Sequence, residues 1–263
     1  MAVTVKKFNG FNIHTYASPE DGGVVNTVII ETAEHLIVMD TQMVIPFAKE
    51  ARAIAEQIGK PIERVIVSHS HPDHWLAASV FQDVKIYAVD DVKAEISAMA
   101  AGVVAAYKPT LGDMIPDVAT VPTEVLPLGD FELDGVTFHV EKAKDTECST
   151  ITMISIPQEK VLLSSDIIYN QAYLYIAELH FSGWRSQLEK LKGTDYTYIV
   201  PGHGAPTEDA SVIDRLISEL TETEKILSES DSFETYKNRI LERYPDHIGH
   251  ALLGFNETYL KFD

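Results

Sequence analysis

The stretch His69–His74 reads HSHPDH and places four metal-binding side chains within six positions. The apolar run VIV at residues 65–67 precedes it, which predicts a buried strand that ends in a loop. His69 and His71 are two residues apart, as are His71 and Asp73, and alternate residues of an extended segment point to the same side. Neighbours in sequence can therefore bind different metals. A polar surface loop is the alternative, but a dense His/Asp cluster at a strand end is typical of metal and catalytic sites.

The composition is that of a soluble globular protein, with 263 residues of which 45% are hydrophobic and 23% are charged. Acidic residues outnumber basic residues by 40 to 21, which gives a formal net charge of -19. Such a surface repels nucleic acid and anionic membranes through long-range Coulomb forces. We therefore expect a small-molecule substrate, and neither nucleic acid nor a membrane as a partner.

The cysteine content and the apolar runs indicate a reducing compartment. Cys148 is the single cysteine, so an internal disulfide cannot form. Residues 1–10 contain no long apolar segment of the kind found in secretory signals, and no run approaches the length of a membrane span. A cytoplasmic location is the expectation that follows.

Strand-like runs open the chain at residues 3–8, 12–17, 27–31 and 35–40, and their short connections predict an antiparallel meander. The later segments alternate between helices and strands. Helices are predicted at residues 46–58, 74–81, 90–107, 181–191, 208–228 and 233–243. Strands are predicted at residues 64–67, 85–89, 131–133, 136–140, 151–156, 161–164 and 196–200.

This order predicts an α/β (α+β) fold, a sandwich of two sheets covered by helices, in a single domain over residues 1–263. The C-terminal helices, from about residue 208, would pack on the core, and they could also form a homodimer surface. Residues 108–122 contain several prolines and predict a loop over the site or a subunit contact.

Three further segments place potential metal ligands directly after strand-like runs. They are DTEC at residues 145–148, SSD at residues 164–166 and PGHG at residues 201–204.

Together these segments resemble the metallo-β-lactamase superfamily over residues 24–204. The first metal motif of that family is matched in full by His69, His71, Asp73 and His74. Asp166 looks like its bridging aspartate, and His203 looks like its last histidine ligand. Residues 26–28 and 37–40 are similar to its N-terminal strands. The resemblance implies a four-layer αβ/βα sandwich and a metal-dependent hydrolase.

The departure from the family pattern is at the third ligand position, where members usually carry a histidine a short distance before the bridging aspartate. No histidine occupies that region, but Glu147 lies 19 residues before Asp166. We therefore predict that Glu147 takes the place of the histidine, which is similar to the alkylsulfatase branch of the family. Asp145, Cys148 and a site with one ligand fewer and a single metal are the alternatives.

The resemblance implies two divalent metal ions, zinc first. One ion would be bound by His69, His71 and Glu147. The other would be bound by Asp73, His74 and His203. Asp166 and a water-derived hydroxide would bridge the two ions. The catalytic residues would be Asp166 and Asp73, since Asp73 could orient the hydroxide or accept its proton.

A carboxylate at position 147 changes the chemistry expected of the site. It lowers the net charge of the ligand set by one unit relative to a histidine, so the metals should be weaker Lewis acids. It also provides a harder ligand, which makes manganese or iron alternatives to zinc.

The function implied is hydrolysis of a small ester, lactone, lactam or similar bond. A di-iron redox or oxygen-sensing protein on the same fold is the alternative. Relatives of that kind usually carry a glutamate at the second motif position, whereas this chain has His71, which favours hydrolysis. A binding module without catalytic activity is a third interpretation.

Several neighbours of the motifs are candidates for supporting roles. Asp40, at a strand end, would hold a ligand histidine in one tautomer or form a turn. Trp75 would line the pocket or pack beneath the metal loop. The nearest basic residues that could hold an anionic group are Lys142, Lys144 and Arg185, and a solvated charge is the alternative for each. The pocket itself is predicted to be built by residues 108–122 and 168–180.

Overall fold

The N-terminal sheet contains seven strands, in the order in which they occur along the chain. The structure is a computed structural model that describes residues 3–262. The first four strands pair antiparallel and the later ones pair parallel. The strands are β1 (Val3–Lys7), β2 (Asn12–Ala17), β3 (Asn26–Glu31), β4 (Leu36–Met39), β5 (Ile62–Ile66), β6 (Ile86–Ala88) and β7 (Glu124–Val125).

The second sheet contains five strands, in the spatial order β12, β11, β10, β9, β8. All of its pairs are antiparallel except β11 with β12. The strands are β8 (Gly129–Leu133), β9 (Val136–Lys144), β10 (Thr150–Ile156), β11 (Val161–Asn170) and β12 (Tyr198–Gly204).

Seven α-helices accompany the two sheets in the part of the chain that the structure describes. They are α1 (Ile45–Ile58), α2 (Pro72–Trp75), α3 (Asp90–Leu111), α4 (Phe181–Leu191), α5 (Val212–Ser228), α6 (Phe233–Arg243) and α7 (His250–Phe255). Within residues 3–262, none of these helices has the length and apolar character needed to span a bilayer.

Alternation along the second sheet separates two apolar layers. Ile154 and Ile156 of β10 pack in the cluster that also contains the strands of the first sheet. Ile151 and Met153, on the other face, pack in the cluster that contains the apolar sides of α4, α5 and α6. Because successive residues of a strand point to opposite faces, each sheet can be covered on both sides. This arrangement confirms the predicted α/β sandwich of two sheets and outer helices.

The third helix is longer than predicted, because it continues through Pro109 to Leu111. A proline in a helix removes one backbone hydrogen bond, so the sequence pattern predicted an end at residue 107. Pro109 lies in the last turn of the helix, where the loss of one backbone hydrogen bond affects few of the other helical hydrogen bonds. Burial of Ile96, Ala100 and Val103 against the core stabilises the rest of the helix. Residues 108–111 are therefore helical, and the predicted loop is shorter than expected.

The short helix α7 was not predicted, because six residues are too few to show a helical period. It begins after Gly249, whose φ of 79° suits glycine. The Glu20 carboxylate accepts hydrogen bonds from the backbone N–H groups of Gly249 and His250, at 3.0 and 2.7 Å. A long-range contact of this kind fixes the start of the helix and cannot be read from a local pattern.

Candidate metal centre

The potential ligands come from four separate segments and meet at one edge of the sandwich. His69 and His71 lie in the loop after β5, and Asp73 and His74 lie in α2. The other three come from the second sheet. Glu147 lies in the loop between β9 and β10, Asp166 in β11 and His203 in β12. The structure thus brings together all seven residues that the sequence predicted.

Three histidines present the same ring nitrogen to the centre. Nδ1–H of His203 donates to the carbonyl oxygen of Gly23 at 2.7 Å, and Nδ1–H of His74 donates to Asp40 Oδ2 at 2.8 Å. Nδ1 of His69 lies 2.9 Å from Ser68 Oγ, whose own proton is donated to Asp40. With Nδ1 engaged, each ring has its Nε2 lone pair directed at the cluster, as a metal ligand requires.

His71 is oriented the opposite way. Its Nε2 lies 3.2 Å from Glu178 Oε1, and its Nδ1 lies 3.1 Å from Glu147 Oε1. Glu178 therefore orients His71 from the cavity side and leaves Nδ1 for the centre. Glu178 lies within the predicted pocket range 168–180, but sequence analysis gave it no role of its own, because it lies in an irregular segment with no motif around it.

The carboxylate of Asp166 lies between the histidines. Its Oδ2 is 3.0 Å from His203 Nε2 and 3.8 Å from His69 Nε2, and its Oδ1 is 3.3 Å from His74 Nε2. Asp73 Oδ2 approaches the same group from the cavity side, 3.4 Å from His203 Nε2. This central place suits the bridging position that the family resemblance implies for Asp166.

Among the three candidates for the third ligand position, the geometry favours Glu147. Its carboxylate is buried, 3.1 Å from His71 Nδ1 and 4.0 Å from His69 Nε2. Asp145 is exposed and belongs to none of the potential metal-binding groups within residues 3–262. Cys148 is buried beside Glu147, but its Sγ donates to the carbonyl oxygen of Thr150 at 3.4 Å.

Burial and mutual charge shift the pKa values of these groups in different directions. Burial raises the pKa of Glu147 to about 7, although the nearby His71 opposes this shift. Burial lowers the pKa of His69 well below its usual value, which keeps the ring neutral. Burial alone would raise the pKa of Asp166, but the imidazoles of His203 and His74 outweigh it and hold that pKa well below its usual range.

Several buried polar atoms of the cluster have no hydrogen-bond partner in the protein. They are Nε2 of His69, Nε2 of His74, Oε2 of Glu147 and Oδ1 of Asp166. A buried polar atom without a partner is costly, and a buried charge more so. The donor atoms also form groups within 4.8 Å of one another, namely His69 with His71, Glu147 and Cys148; His69 with His74 and Asp166; and Asp73 with His74 and His203. The residues therefore fit divalent metal ions bound by nitrogen and oxygen.

Two residues beside the ligand cluster have backbone conformations that are uncommon for residues other than glycine. Asp40 has φ 64° and Ser165, next to Asp166, has φ 46°, both in the left-handed region. The pairing of β11 with β12 is irregular between Leu163 and Tyr169, as is common beside functional sites. Gly202 is needed for a different reason, because a Cβ at that position would overlap Asp166 Oδ1.

Tyr169 is a further residue of the centre that sequence analysis missed. Its hydroxyl donates to Asp166 Oδ2 at 2.9 Å, and its ring stacks on His203 with 4.8 Å between centroids. It lies three positions after Asp166, where the predicted strand had already ended. Regular alternation would place residues three apart on opposite faces of a strand, and the register of β11 is irregular between Ser165 and Tyr169, so the sequence pattern carried no signal for this contact.

The other candidates have structural roles. Trp75 is fully buried, and its Nε1–H donates to the carbonyl oxygen of Ser70 at 2.8 Å, so it packs beneath the metal loop. Lys142 and Lys144 form ion pairs with Asp91 at 2.8 and 2.9 Å. Arg185 pairs with Glu224 at 2.7 Å. None of these four residues lines the cavity over the centre.

The cavity over the centre is built differently from the prediction. Tyr175, Ala177 and Glu178 line it, within the predicted range 168–180. Residues 108–122 do not line it. The walls are instead formed by residues of α3 between positions 98 and 107, and by residues of α7 and the segment after it between positions 252 and 259. The proline-rich segment was wrongly expected there because irregular loops often cover active sites.

Comparison with known proteins assigns the chain to a family. The family model described as Metallo-beta-lactamase superfamily matches residues 21–203. The chain belongs to the metallo-β-lactamase superfamily. Its members are generally metallohydrolases, so the family resemblance and the expectation of an enzyme of this class are confirmed.

Solved structures of this superfamily share the fold. The metallo-β-lactamase from Pontibacter korlensis is 18% identical, with a TM-score of 0.64, and the match covers 84% of this chain and 99% of that one. The metallo-β-lactamase IND-7 is 17% identical, with a TM-score of 0.66, and the match covers 83% of this chain and 98% of that one. Similarity at this level shows the fold alone.

Among curated proteins, the chain matches the 2,4-dinitroanisole O-demethylase subunit alpha of Nocardioides sp. (strain JS1661). The two are 24% identical over 185 residues, which cover 69% of this chain and 53% of that protein. The chain thus spans about half the length of this curated relative.

Replacing Asp40 by asparagine is expected to weaken metal binding about 10–100-fold, the usual effect of losing the partner that orients a ligand histidine. Asp40 accepts Nδ1–H of His74 at 2.8 Å and two further hydrogen bonds from Ser68. An amide nitrogen in this place would face donors, and the tautomer of His74 would no longer be fixed. Metal affinity by competition with a chromophoric chelator measures the effect.

Thr41→Val is the matched control, since the buried Thr41 hydroxyl contacts only the backbone carbonyl of His74, at 3.3 Å. It should retain the affinity of the unmodified protein. Equal affinity in Asp40→Asn and the unmodified chain would contradict the role given to Asp40.

Proposed function

We propose that this protein is a dinuclear metal-dependent hydrolase that cleaves an ester, lactone, lactam or similar bond of a small molecule. The supporting observation is the set of buried imidazole and carboxylate atoms that have no partner in the protein. The proposed ligands of the first ion are His69, His71 and Glu147. Those of the second are Asp73, His74 and His203, and Asp166 would be shared by both ions. Zinc is the first choice of metal, with manganese or iron as alternatives because three of the seven ligands are carboxylates.

Divalent ions bound there would polarise the scissile bond and lower the pKa of a nucleophilic water. The protein residues would supply position and proton transfer. Asp73 is partly exposed at the cavity floor, so its carboxylate can orient an attacking water and accept its proton. Asp166, His69, His74 and His203 are buried and held by other groups of the protein, so little reorganisation is needed during the reaction.

The dimensions of the cavity favour a small substrate. Its volume of about 510 Å³ lies within the range of small-molecule sites, and His71, Asp73, Glu147 and Asp166 form its floor. The curated relative is named for demethylation of an aromatic methyl ether, so the bond classes to be tested should include an aryl ether.

The test is to purify the protein without added metal, measure metal per chain, and assay a panel of esters, lactones, lactams, sulfate esters and aryl ethers. We expect about two ions per chain and hydrolysis of at least one bond class, with loss of activity on chelation and recovery when metal is restored. A visible absorption band with bound iron and no hydrolysis would favour the redox alternative. A protein that holds two ions and cleaves no member of the panel would contradict the proposal.

A further inference from the structure

The walls of the cavity above the proposed metal centre are apolar. The α3 side contributes Met99, Val103 and Ala106, and the C-terminal side contributes Leu252 and Phe255. Leu252 and Val103 are buried, whereas Met99 and Phe255 are partly exposed at the rim. A substrate group that enters the cavity therefore exchanges water for hydrocarbon on both of these sides.

Apart from His71 and the proposed metal ions, the charged groups of the lining are acidic. Four carboxylates contribute to it, namely Asp73, Glu147, Asp166 and Glu178. Within the described residues that line the cavity there is no lysine or arginine. The three cations expected nearest to the site are paired elsewhere, with Asp91 and Glu224. A substrate anion away from the reacting bond would thus find no cationic side chain, and burial of an unpaired charge is strongly unfavourable.

Aromatic side chains complete the wall next to His71. The Tyr175 ring lies edge-on to His71 at 5.0 Å between centroids, and the Tyr259 ring lies edge-on to Tyr175 at 6.3 Å. Tyr107 lines the cavity from α3. Rings at such angles offer both faces and edges to another aromatic ring, which prefers offset or edge-to-face contacts. Burial raises the pKa of Tyr107 to about 12, so its hydroxyl is a neutral hydrogen-bond partner.

We propose that the substrate is an uncharged molecule with an aromatic body next to the scissile bond, and that the cavity discriminates against a substrate that carries a carboxylate away from that bond. This inference rests on the proposed hydrolytic function and narrows its substrate class. A penicillin, which carries a carboxylate beside its lactam bond, is accordingly expected to be a poor substrate, although the fold is that of metallo-β-lactamases.

Two aryl esters that differ by one charge test the inference on the metal-loaded protein. These are 4-nitrophenyl hexanoate and mono-4-nitrophenyl adipate, which share the leaving group and have acyl chains of equal length; the adipate chain is too long for its carboxylate to expel the leaving group readily by ring closure. We expect kcat/KM to be about 10²-fold higher for the hexanoate, because only the adipate must bury an unpaired charge. Similar values for the two esters would overturn the inference.

A lysine introduced into the cavity wall should weaken the preference for the uncharged ester. Ala105 and Ala106 are both exposed on the same helix, but Ala106 lines the cavity and Ala105 does not. Ala106→Lys is expected to reduce the preference for the hexanoate about tenfold, since it provides a cation for the adipate carboxylate. Ala105→Lys adds the same charge outside the cavity and should retain the original ratio. An equal change of the kcat/KM ratio in both variants would indicate that lysine acts through a long-range electrostatic field. It would contradict discrimination by the cavity wall.

A binding measurement separates this inference from the proposed function. N-Phenyl-1-naphthylamine and 1-anilinonaphthalene-8-sulfonate have the same aromatic body and differ by one sulfonate. Fluorescence titration of the metal-loaded protein should show about tenfold tighter binding of the neutral probe, with the difference reduced in Ala106→Lys and kept in Ala105→Lys. If no ester is cleaved but this pattern holds, the proposed function fails and the binding preference stands. Tighter binding of the sulfonate to the unmodified protein would overturn the preference.

Discussion

Replacing Asp166 by asparagine is expected to abolish binding of both proposed metal ions and to lower kcat/KM about 10³-fold or more, since metal ions supply several kcal/mol of transition-state stabilisation. The carboxylate lies within 3.0–3.8 Å of the Nε2 atoms of three histidines. An amide in its place has no charge and only one oxygen. The imidazoles would then face one another without the anion that separates them.

Two measurements check this prediction. Metal content after dialysis should fall from about two ions to none, and added metal should no longer raise the melting temperature. For the unmodified protein, metal at about 100 times its Kd should stabilise the fold by about 2.7 kcal/mol. Asp166→Asn protein that still gains this stability would show that Asp166 is not a ligand.

Tyr169→Phe provides the matched control for the same carboxylate. It removes the hydroxyl that donates to Asp166 Oδ2 at 2.9 Å but keeps the ring that stacks on His203. We expect it to retain both ions and to lose about tenfold in activity, the effect of one hydrogen bond to a charged group. If Tyr169→Phe lost as much metal and activity as Asp166→Asn, the result would assign the effect to the Tyr169 hydroxyl and not to the carboxylate.

The parts of the fold that could be predicted from the sequence are those fixed by local pattern. The β-branched content and the short connections of the first strand-like runs predicted the N-terminal meander, and β2 has the predicted bounds Asn12–Ala17. The motif around His69 and the PGHG segment at residues 201–204 carry their own backbone requirements, so they are recognisable in isolation. At Gly202 the close approach of Asp166 excludes any side chain, so even this tertiary requirement leaves a glycine that is visible in the sequence.

The parts that could not be predicted depend on contacts between distant segments. Glu178 acquires a role only because the chain folds it against His71, 107 positions away. Helix α7 begins where Glu20 accepts the N–H groups of Gly249 and His250, and it brings Leu252 and Phe255 to the cavity. The metal motif is therefore visible in the sequence, whereas the walls that select a substrate are products of tertiary structure.

Replacing Glu147 by glutamine is expected to remove the ion proposed at His69 and His71 and to lower kcat/KM about 10²–10³-fold, comparable to the loss of one group that stabilises transition-state charge. The Glu147 carboxylate is buried, and its Oε2 has no partner in the protein. A neutral amide can neither balance the charge of a divalent ion nor replace the carboxylate that faces His71 Nδ1. Metal content should fall from about two ions per chain to about one.

The matched control and a second substitution make the test specific. Asp145→Asn removes the exposed rival carboxylate two positions away and should retain both ions. Glu147→His should also retain two ions, but it makes the ligand set softer and raises its net charge by one unit, so the preference should shift from manganese towards zinc. Competition between the two metals, followed by measurement of the bound ions, reports this shift. If Asp145→Asn loses an ion while Glu147→Gln keeps both, the third ligand position belongs to Asp145.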